Sequence, residues 1–79
     1  MRPEDIRQLL TTRPFQPFRF TLTDGTSYDV RHPEFVNVGR SAIFLGLPAP
    51  EEKEPIFDDF RIISLLHIMQ AQPVDTARQ

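Results

Sequence analysis

The 79-residue chain contains no cysteine, no tryptophan and only three glycines. Without cysteine it forms neither a disulfide framework nor a thiolate zinc site, and it has no cysteine nucleophile. Because the three glycines are far apart, they do not make a glycine-rich loop for phosphate. No run approaches the roughly 18 apolar residues of a membrane-spanning helix, and the charged N-terminus lacks the apolar core of a signal peptide. These absences predict a cytoplasmic protein that does not bind a membrane.

Residues with catalytic chemistry are present, but their spacing does not define a site. His32 and Glu34 are close enough to form a metal-binding or acid–base pair, but Pro33 separates them and no third ligand stands at a recognisable spacing. We therefore expect His32 to lie at a strand bend and to hydrogen-bond to the backbone. His67 lies among apolar residues and is expected to be partly buried. We predict no catalytic residues, no metal, no cofactor and no small-molecule substrate.

Charge is distributed unevenly around a net value of −2. Residues 51–59 contain five acidic residues and one lysine, whereas the rest of the chain has eight arginines and six acidic residues. Since strong non-specific DNA binding needs many phosphate contacts, this balance argues against it. We interpret most arginines as solvated surface residues in ion pairs, and the alternative is a weakly basic face that contacts nucleic acid.

The N-terminal segment predicts a helix over residues 3–12. Pro3 suits the first turn of a helix, and Pro14 prevents the helix from continuing. Glu4 and Asp5 place negative charge in the first turn, where it is favourable. The helix has an apolar stripe that must pack against another element; the stripe comprises Ile6, Leu9 and Leu10.

The remainder of the chain alternates between short strand patterns and turn residues. Asp24-Gly25 favours a type I′ hairpin, and Gly39-Arg40 favours a type II′ turn. The predicted strands are Phe18–Leu22, residues 27–38 bent or interrupted at Pro33, a central strand over residues 41–46, Phe57–Ser64 and residues 68–71. Residues 47–55 are predicted to be a surface loop and Leu65–His67 a 3₁₀ turn, with a C-terminal helix over residues 64–71 as the alternative.

This order of elements predicts a mainly β domain with an N-terminal helix. Five strands in so short a chain favour a small bent antiparallel barrel of the SH3-like or Sm-like type, because closure removes exposed strand edges. The alternative is an open sheet covered by the helix. The domain is expected to span residues 1–72, with 73–79 as a frayed polar tail and most of the seven phenylalanines inside.

Five segments resemble a family of short bacterial proteins of planctomycete type, for which no activity is known. They are residues 1–6, residues 13–19, Asp24-Gly25, residues 32–34 and residues 65–68. The similarity extends from the first residue to about residue 72. This resemblance implies no activity and transfers no functional residue.

The hairpin segment over residues 22–25, Leu-Thr-Asp-Gly, is similar to a signature of the Sm-like proteins. That resemblance implies a helix followed by a five-stranded bent barrel that assembles into RNA-binding rings. The glycine of the second strand and the Arg-Gly pair of the last hairpin are absent here, where Leu66 and His67 stand instead of the pair.

These observations favour a non-enzymatic scaffold or interaction module that binds itself or another protein. An RNA-binding ring is the alternative, with Arg31, Asn37 and Arg40 as its candidate RNA contacts. Phe15, which lies between two prolines, is a candidate partner contact or a core residue. An enzyme would need His32 and Glu34 to meet a partner residue across a subunit interface.

Overall fold

The structure is a computed structural model that describes residues 1–49 and 56–74. It is mainly β, with one N-terminal helix and six strands in two three-stranded sheets. The elements in chain order are α1 (Pro3–Thr11), β1 (Phe18–Leu22), β2 (Ser27–Val30), β3 (Val36–Val38), β4 (Ala42–Pro48), β5 (Phe57–Ser64) and β6 (Ile68–Pro73). Two 3₁₀ turns lie between strands, at Pro33–Phe35 and Leu65–His67.

Helix α1 begins at Pro3, as the sequence predicts, and ends at Thr11. It stops one residue earlier than expected, because Thr12 already adopts an extended conformation two residues before Pro14. Ile6 has no exposed surface and α1 packs against β3, so the helix covers the core with the stripe that the sequence indicates. Across the described residues, α1 is too short and too polar to cross a bilayer.

Strand β1 is the centre of the first sheet and pairs antiparallel with β2 and β6. Phe18, Phe20 and Leu22 are buried, which confirms the predicted inward face of this strand. Val30 of β2 joins them in the core. The last strand, β6, runs to Pro73 and is two residues longer than predicted, and residues 75–79 of the predicted tail lie outside the described residues.

The hairpin between β1 and β2 does not contain the predicted type I′ turn. That turn needs positive φ at both central residues, but only Gly25 has positive φ, at 90°. The Gly25 N–H donates to the Leu22 carbonyl at 3.0 Å, and the Leu22 N–H donates to the Thr26 carbonyl at 2.8 Å. The loop is therefore residues 23–25, with Gly25 as the left-handed bulge residue of a longer hairpin.

The second predicted strand is divided in two by the turn at Pro33–Phe35. Proline supplies no backbone N–H, so the ladder ends there, and the described residues contain six strands instead of five. The new strand β3 pairs with β4 in the second sheet, where β4 is the central strand, as predicted. Gly39 has no positive φ, so the predicted type II′ turn is wrong, and its N–H donates to the Ala42 carbonyl at 2.8 Å.

The 3₁₀ turn Leu65–His67 and the strand after it are confirmed, and the alternative C-terminal helix is wrong over these residues. The hydroxyl of Ser64 accepts the Leu66 N–H at 3.2 Å, which caps this turn. Of the predicted loop over residues 47–55, Leu47 and Pro48 belong to β4 and residues 50–55 lie outside the described residues.

The closed five-stranded barrel is not confirmed, because the strands described form two separate hydrogen-bonded sheets. Both sheets contribute to one core between them. Its buried members are Ile6, Phe18, Phe20, Leu22, Val30, Val36, Ile43, Leu45, Ile63, Leu65 and Ile68. The exposed features of the molecule therefore lie on the outer sheet faces and at the sheet edges.

Candidate functional site

The second sheet has an apolar outer face, which we call the β4–β5 face. Side chains alternate between the two faces of a strand, so the burial of Ile43, Leu45 and Ile63 in the core places their neighbours on the outside. In the strand register, Phe44 lies opposite Ile62. The ring of Phe60 stacks on that of Phe44, with a centroid distance of 5.1 Å. Phe60 is 49% exposed and Ile62 is 70% exposed.

A glycine in β4 makes room for a second aromatic side chain on this face. Gly46 is buried, and a Cβ added there would lie 2.9 Å from Cγ of Phe57. The Phe57 ring also makes edge contacts with Phe44 and Phe35, at centroid distances of 5.8 and 5.4 Å. Four rings thus form one continuous cluster, of which only Phe35 is buried; its members are Phe35, Phe44, Phe57 and Phe60.

This arrangement contradicts the expectation that most phenylalanines lie inside. Only Phe18, Phe20 and Phe35 are buried, whereas Phe57 and Phe60 keep nearly half of their surface exposed. Ile56 beside them is 49% exposed. A set of large apolar side chains on one face is characteristic of an interaction surface, whereas isolated exposed ones are ordinary.

Strand β5 is also an edge strand, since β4 is its only partner in the described sheet. Two charged side chains fold over that edge at Phe60. The Asp59 carboxylate accepts the Phe60 N–H at 2.8 Å, and the Arg61 guanidinium donates to the Phe60 carbonyl at 2.8 Å. Asp59 and Arg61 also form an ion pair, with 3.1 Å between Oδ2 and Nη1.

The pKa of Asp59 is lowered, first by the hydrogen bond from the Phe60 N–H and then by Arg61. The pKa of Arg61 is raised, chiefly by its hydrogen bond to Asp59. Both groups stay charged at neutral pH. At the sheet edge, the Phe60 N–H is therefore bonded to a negatively charged side chain and the Phe60 carbonyl to a positively charged one.

A cleft of about 390 Å³ lies between β5 and the β1–β2 hairpin. Its polar lining residues include Asp24, Tyr28, Arg61 and His67. The Asp24 carboxylate accepts the Thr26 N–H at 2.9 Å, and this bond is the main cause of the lowered pKa of Asp24. The Asp24 carboxylate is therefore held by its own hairpin.

The four candidate contact residues lie in different surroundings. Asn37 is exposed on β3 opposite Phe44, so it borders the β4–β5 face. Arg40 is exposed in the β3–β4 turn. Arg31 pairs with Asp29, with 3.5 Å between Nη2 and Oδ2, and lines a separate cleft of about 130 Å³. Phe15 packs edge-on against Phe18, with 6.0 Å between the ring centroids, and is half-buried.

His32 lies at the predicted bend, between β2 and β3, but its ring makes a different contact from the one expected, and His67 is not in the predicted environment. The ring of His32 packs against Phe35 at a centroid distance of 5.3 Å, and it is the His32 carbonyl that accepts the Phe35 N–H. His67 is exposed and not partly buried, because the 3₁₀ turn directs Leu65 inward and His67 outward. Its Nδ1 lies 3.4 Å from the Thr23 hydroxyl. Within residues 1–49 and 56–74, no three His, Asp or Glu side chains are grouped so that they could bind a metal ion.

Sequence reasoning placed Phe60 and Ile62 on one face of a strand but did not identify that face as a surface. The available signal was the apolar character of β4 on both faces together with two apolar residues on the outer side of β5. A comparison with protein-family models, curated proteins and solved structures finds nothing that matches this chain.

Proposed function

We propose that this protein is a small non-enzymatic interaction module that binds protein through its β4–β5 face. The supporting observation is the cluster of half-exposed rings and aliphatic side chains around Gly46. A fully buried phenylalanine side chain contributes roughly 1.5–3 kcal/mol relative to an exposed one. Covering the exposed halves of Phe57 and Phe60 and most of Ile62 would therefore supply several kcal/mol to an association.

The composition of the face supports a protein partner over a charged polymer. Aromatic residues are enriched at the centre of protein interfaces, where charged residues are depleted. The centre of the β4–β5 face is apolar, and the charged pair Asp59–Arg61 lies at its rim. Asn37 supplies a polar group at the opposite rim.

We also propose that the two sheets are the halves of a bent, SH3-like arrangement. Two short connections support this: residues 33–35 join β2 to β3, and residues 65–67 join β5 to β6. Both connections are 3₁₀ turns, so the chain passes from one sheet to the other without a long loop. The shared core packs the two sheets together.

The test replaces Phe60 and Ile62 together by serine. Phe60 is about half exposed and Ile62 more so, and we therefore expect the folded structure to persist while self-association and capture of other proteins are lost. Solution mass by size-exclusion chromatography with light scattering measures the first, and a pull-down with the tagged chain measures the second. Leu66→Ser is the matched control, because Leu66 is 87% exposed but lies in the 3₁₀ turn after β5.

Two results would contradict the proposal. One is a wild-type chain that stays monomeric at high concentration and recovers no protein in the pull-down. The other is an assembly of six or seven copies with a high ratio of absorbance at 260 to 280 nm, weakened by salt, which would favour the RNA-binding ring. In that case Arg40→Ala should reduce the RNA affinity.

A further inference from the structure

We propose that two copies of this chain pair through the open edges of their β5 strands, antiparallel and centred on Phe60. The inference rests on the proposed function, since it names a second copy as one protein partner and joins two β4–β5 faces at their β5 edges. Of the four edge strands in the described part of the chain, β5 is the longest, with eight residues against three in β3, four in β2 and six in β6. A long edge strand with apolar side chains is a template for another strand.

The hydrogen-bond pattern of β5 shows which backbone groups point away from β4. The Leu65 N–H donates to the Ser41 carbonyl at 2.9 Å, so Ala42 and Ser64, which are register partners, form a non-hydrogen-bonded pair. Pair types alternate along an antiparallel ladder, which makes Gly46 and Phe60 a non-hydrogen-bonded pair as well. The N–H and C=O of Phe60 therefore point to the open edge.

The side-chain contacts agree with this assignment. The Phe60 N–H and C=O are the groups that Asp59 and Arg61 reach. A second β5 strand placed antiparallel with Phe60 opposite Phe60 would offer a carbonyl to that N–H and an N–H to that carbonyl. The backbone bonds would replace the side-chain bonds, and Asp59 and Arg61 would be released.

This register places the released charges opposite their complements. With Phe60 on the two-fold axis, Asp59 lies opposite the partner subunit's Arg61, and Arg61 lies opposite the partner subunit's Asp59. These are non-hydrogen-bonded positions, where the Cα atoms approach to about 4.5 Å and side chains are closest. If the two-fold axis moved by one residue along β5, Asp59 would face the partner subunit's Asp59, or Arg61 would face the partner subunit's Arg61. The charge pattern therefore favours the register centred on Phe60.

The chain already contains an ion pair in the same setting. Arg19 and Asp29 are register partners in β1 and β2, and the Leu22 N–H to Thr26 carbonyl bond makes them a non-hydrogen-bonded pair. Their side chains form two bonds, 2.6 Å from Nε to Oδ1 and 3.3 Å from Nη2 to Oδ2. An arginine and an aspartate at facing positions of this kind thus reach each other without distortion.

The test exchanges charges between two chains. Asp59→Arg alone places arginines opposite each other, and Arg61→Asp alone places aspartates opposite each other, so each should weaken the dimer by roughly tenfold or more. An equimolar mixture of the two variants restores opposite charges at both positions and should form a heterodimer. The double variant D59R/R61D in one chain should recover the wild-type dimer.

Sedimentation equilibrium measures each association, and circular dichroism shows that each variant is folded. Arg2→Asp is the control, since it makes the same charge change as Arg61→Asp in the exposed ion pair between Arg2 and Asp5, and should leave the dimer unchanged. Heterodimer recovery together with weakened single variants supports the proposal. Tighter association of the single variants would overturn it, because Asp59 and Arg61 would then protect the edge from pairing.

Other outcomes separate this inference from the proposed function. In one outcome, the variant with Phe60→Ser and Ile62→Ser does not associate, and the mixture of Asp59→Arg and Arg61→Asp chains does not recover the association that each charge variant lost. The register is then wrong and the interaction face stands. If the wild-type chain is monomeric but captures another protein through that face, the second copy is excluded and the proposed function stands. A ring of six or seven copies overturns the two-fold pairing, because an isologous contact closes at two.

Discussion

The outer faces of the two sheets differ in chemistry although both sheets have three strands and share one core. On the first sheet, the side chains opposite one another on the outside are polar: Arg19 with Asp29 and Gln72, and Thr21 with Ser27 and Gln70. On the second sheet, Phe44 lies opposite Ile62, and Phe60 lies opposite Gly46. The first outer face suits water, whereas the second exposes rings.

This difference shows where stability and binding are separated in the molecule. The inner rings of Phe18 and Phe20 contact each other at right angles, 5.0 Å apart, and are almost fully buried. They contribute to folding whether or not a partner is present. On the β4–β5 face, Phe57 and Phe60 are only about half covered, so a large part of their transfer free energy is realised only when a partner covers them.

The largest expected effect comes from truncating one ring in each cluster. Phe20→Ala should lower the free energy of unfolding by about 3–5 kcal/mol, because Phe20 has no exposed surface and the deletion leaves a cavity. Phe60→Ala should cost about 1 kcal/mol, since half of its surface is already in water. Urea denaturation at low protein concentration measures both.

The concentration must be low so that association does not add to stability by mass action. Equal losses for the two variants would contradict the separation of the clusters. A chain of this size has a total stability of roughly 5–10 kcal/mol, so the Phe20 variant is expected to be marginally folded.

The second prediction concerns the position that admits the Phe57 ring. Gly46→Ala places a methyl group 2.9 Å from Cγ of Phe57, so the ring must move. We expect a loss of about 1–3 kcal/mol in unfolding free energy, typical of added volume at a packed position. Phe57→Ala in the same chain should remove most of that penalty, and a double-mutant cycle by urea denaturation measures the coupling. Additive effects would mean that the ring does not restrict Gly46.

Patterns with a single physical cause were predictable from the sequence. The alternation in β1 places Phe18, Phe20 and Leu22 in the core, and two prolines bound α1 to within one residue. The central position of β4 follows from its apolar side chains on both faces. Each of these predictions depends on a local periodicity or on a proline, and the effect of both is independent of the rest of the chain.

The remaining features depend on which strands meet, and the sequence does not specify that locally. Asp24-Gly25 fits two hairpin types, and the pairing of Leu22 with Thr26 selects the longer one. The exposure of Phe60 results from the absence of a described element over the outer side of β5, which no local pattern indicates. Asp59 and Arg61 lie two residues apart on β5, so their ion pair is local, but its place at an open sheet edge depends on the order of the strands.

The smallest expected effect lies on the polar face, at the ion pair between Arg19 and Asp29. The Arg19 hydrogen bond lowers the pKa of Asp29 from its ordinary value of 3.8. The folded chain therefore binds fewer protons than the unfolded chain in this range, and the stabilisation is complete above pH 3.8 and lost as the pH falls through the folded pKa. Asp29→Asn should lower the free energy of unfolding at pH 7 by less than about 1 kcal/mol, because both side chains are partly exposed.

The difference between wild type and Asp29→Asn should shrink towards zero in acid and should also decrease in salt, because an exposed pair is screened. Urea denaturation across pH 2–7 measures the difference at each pH, and Arg19→Gln closes the double-mutant cycle. The lowered pKa values of Asp24 and Asp59 make both chains acid-sensitive, so only the difference reports on Asp29. A difference that is constant with pH would show that Asp29 stabilises the sheet by its shape and not by its charge, and the contrast between a charge-paired face and an apolar face would then weaken.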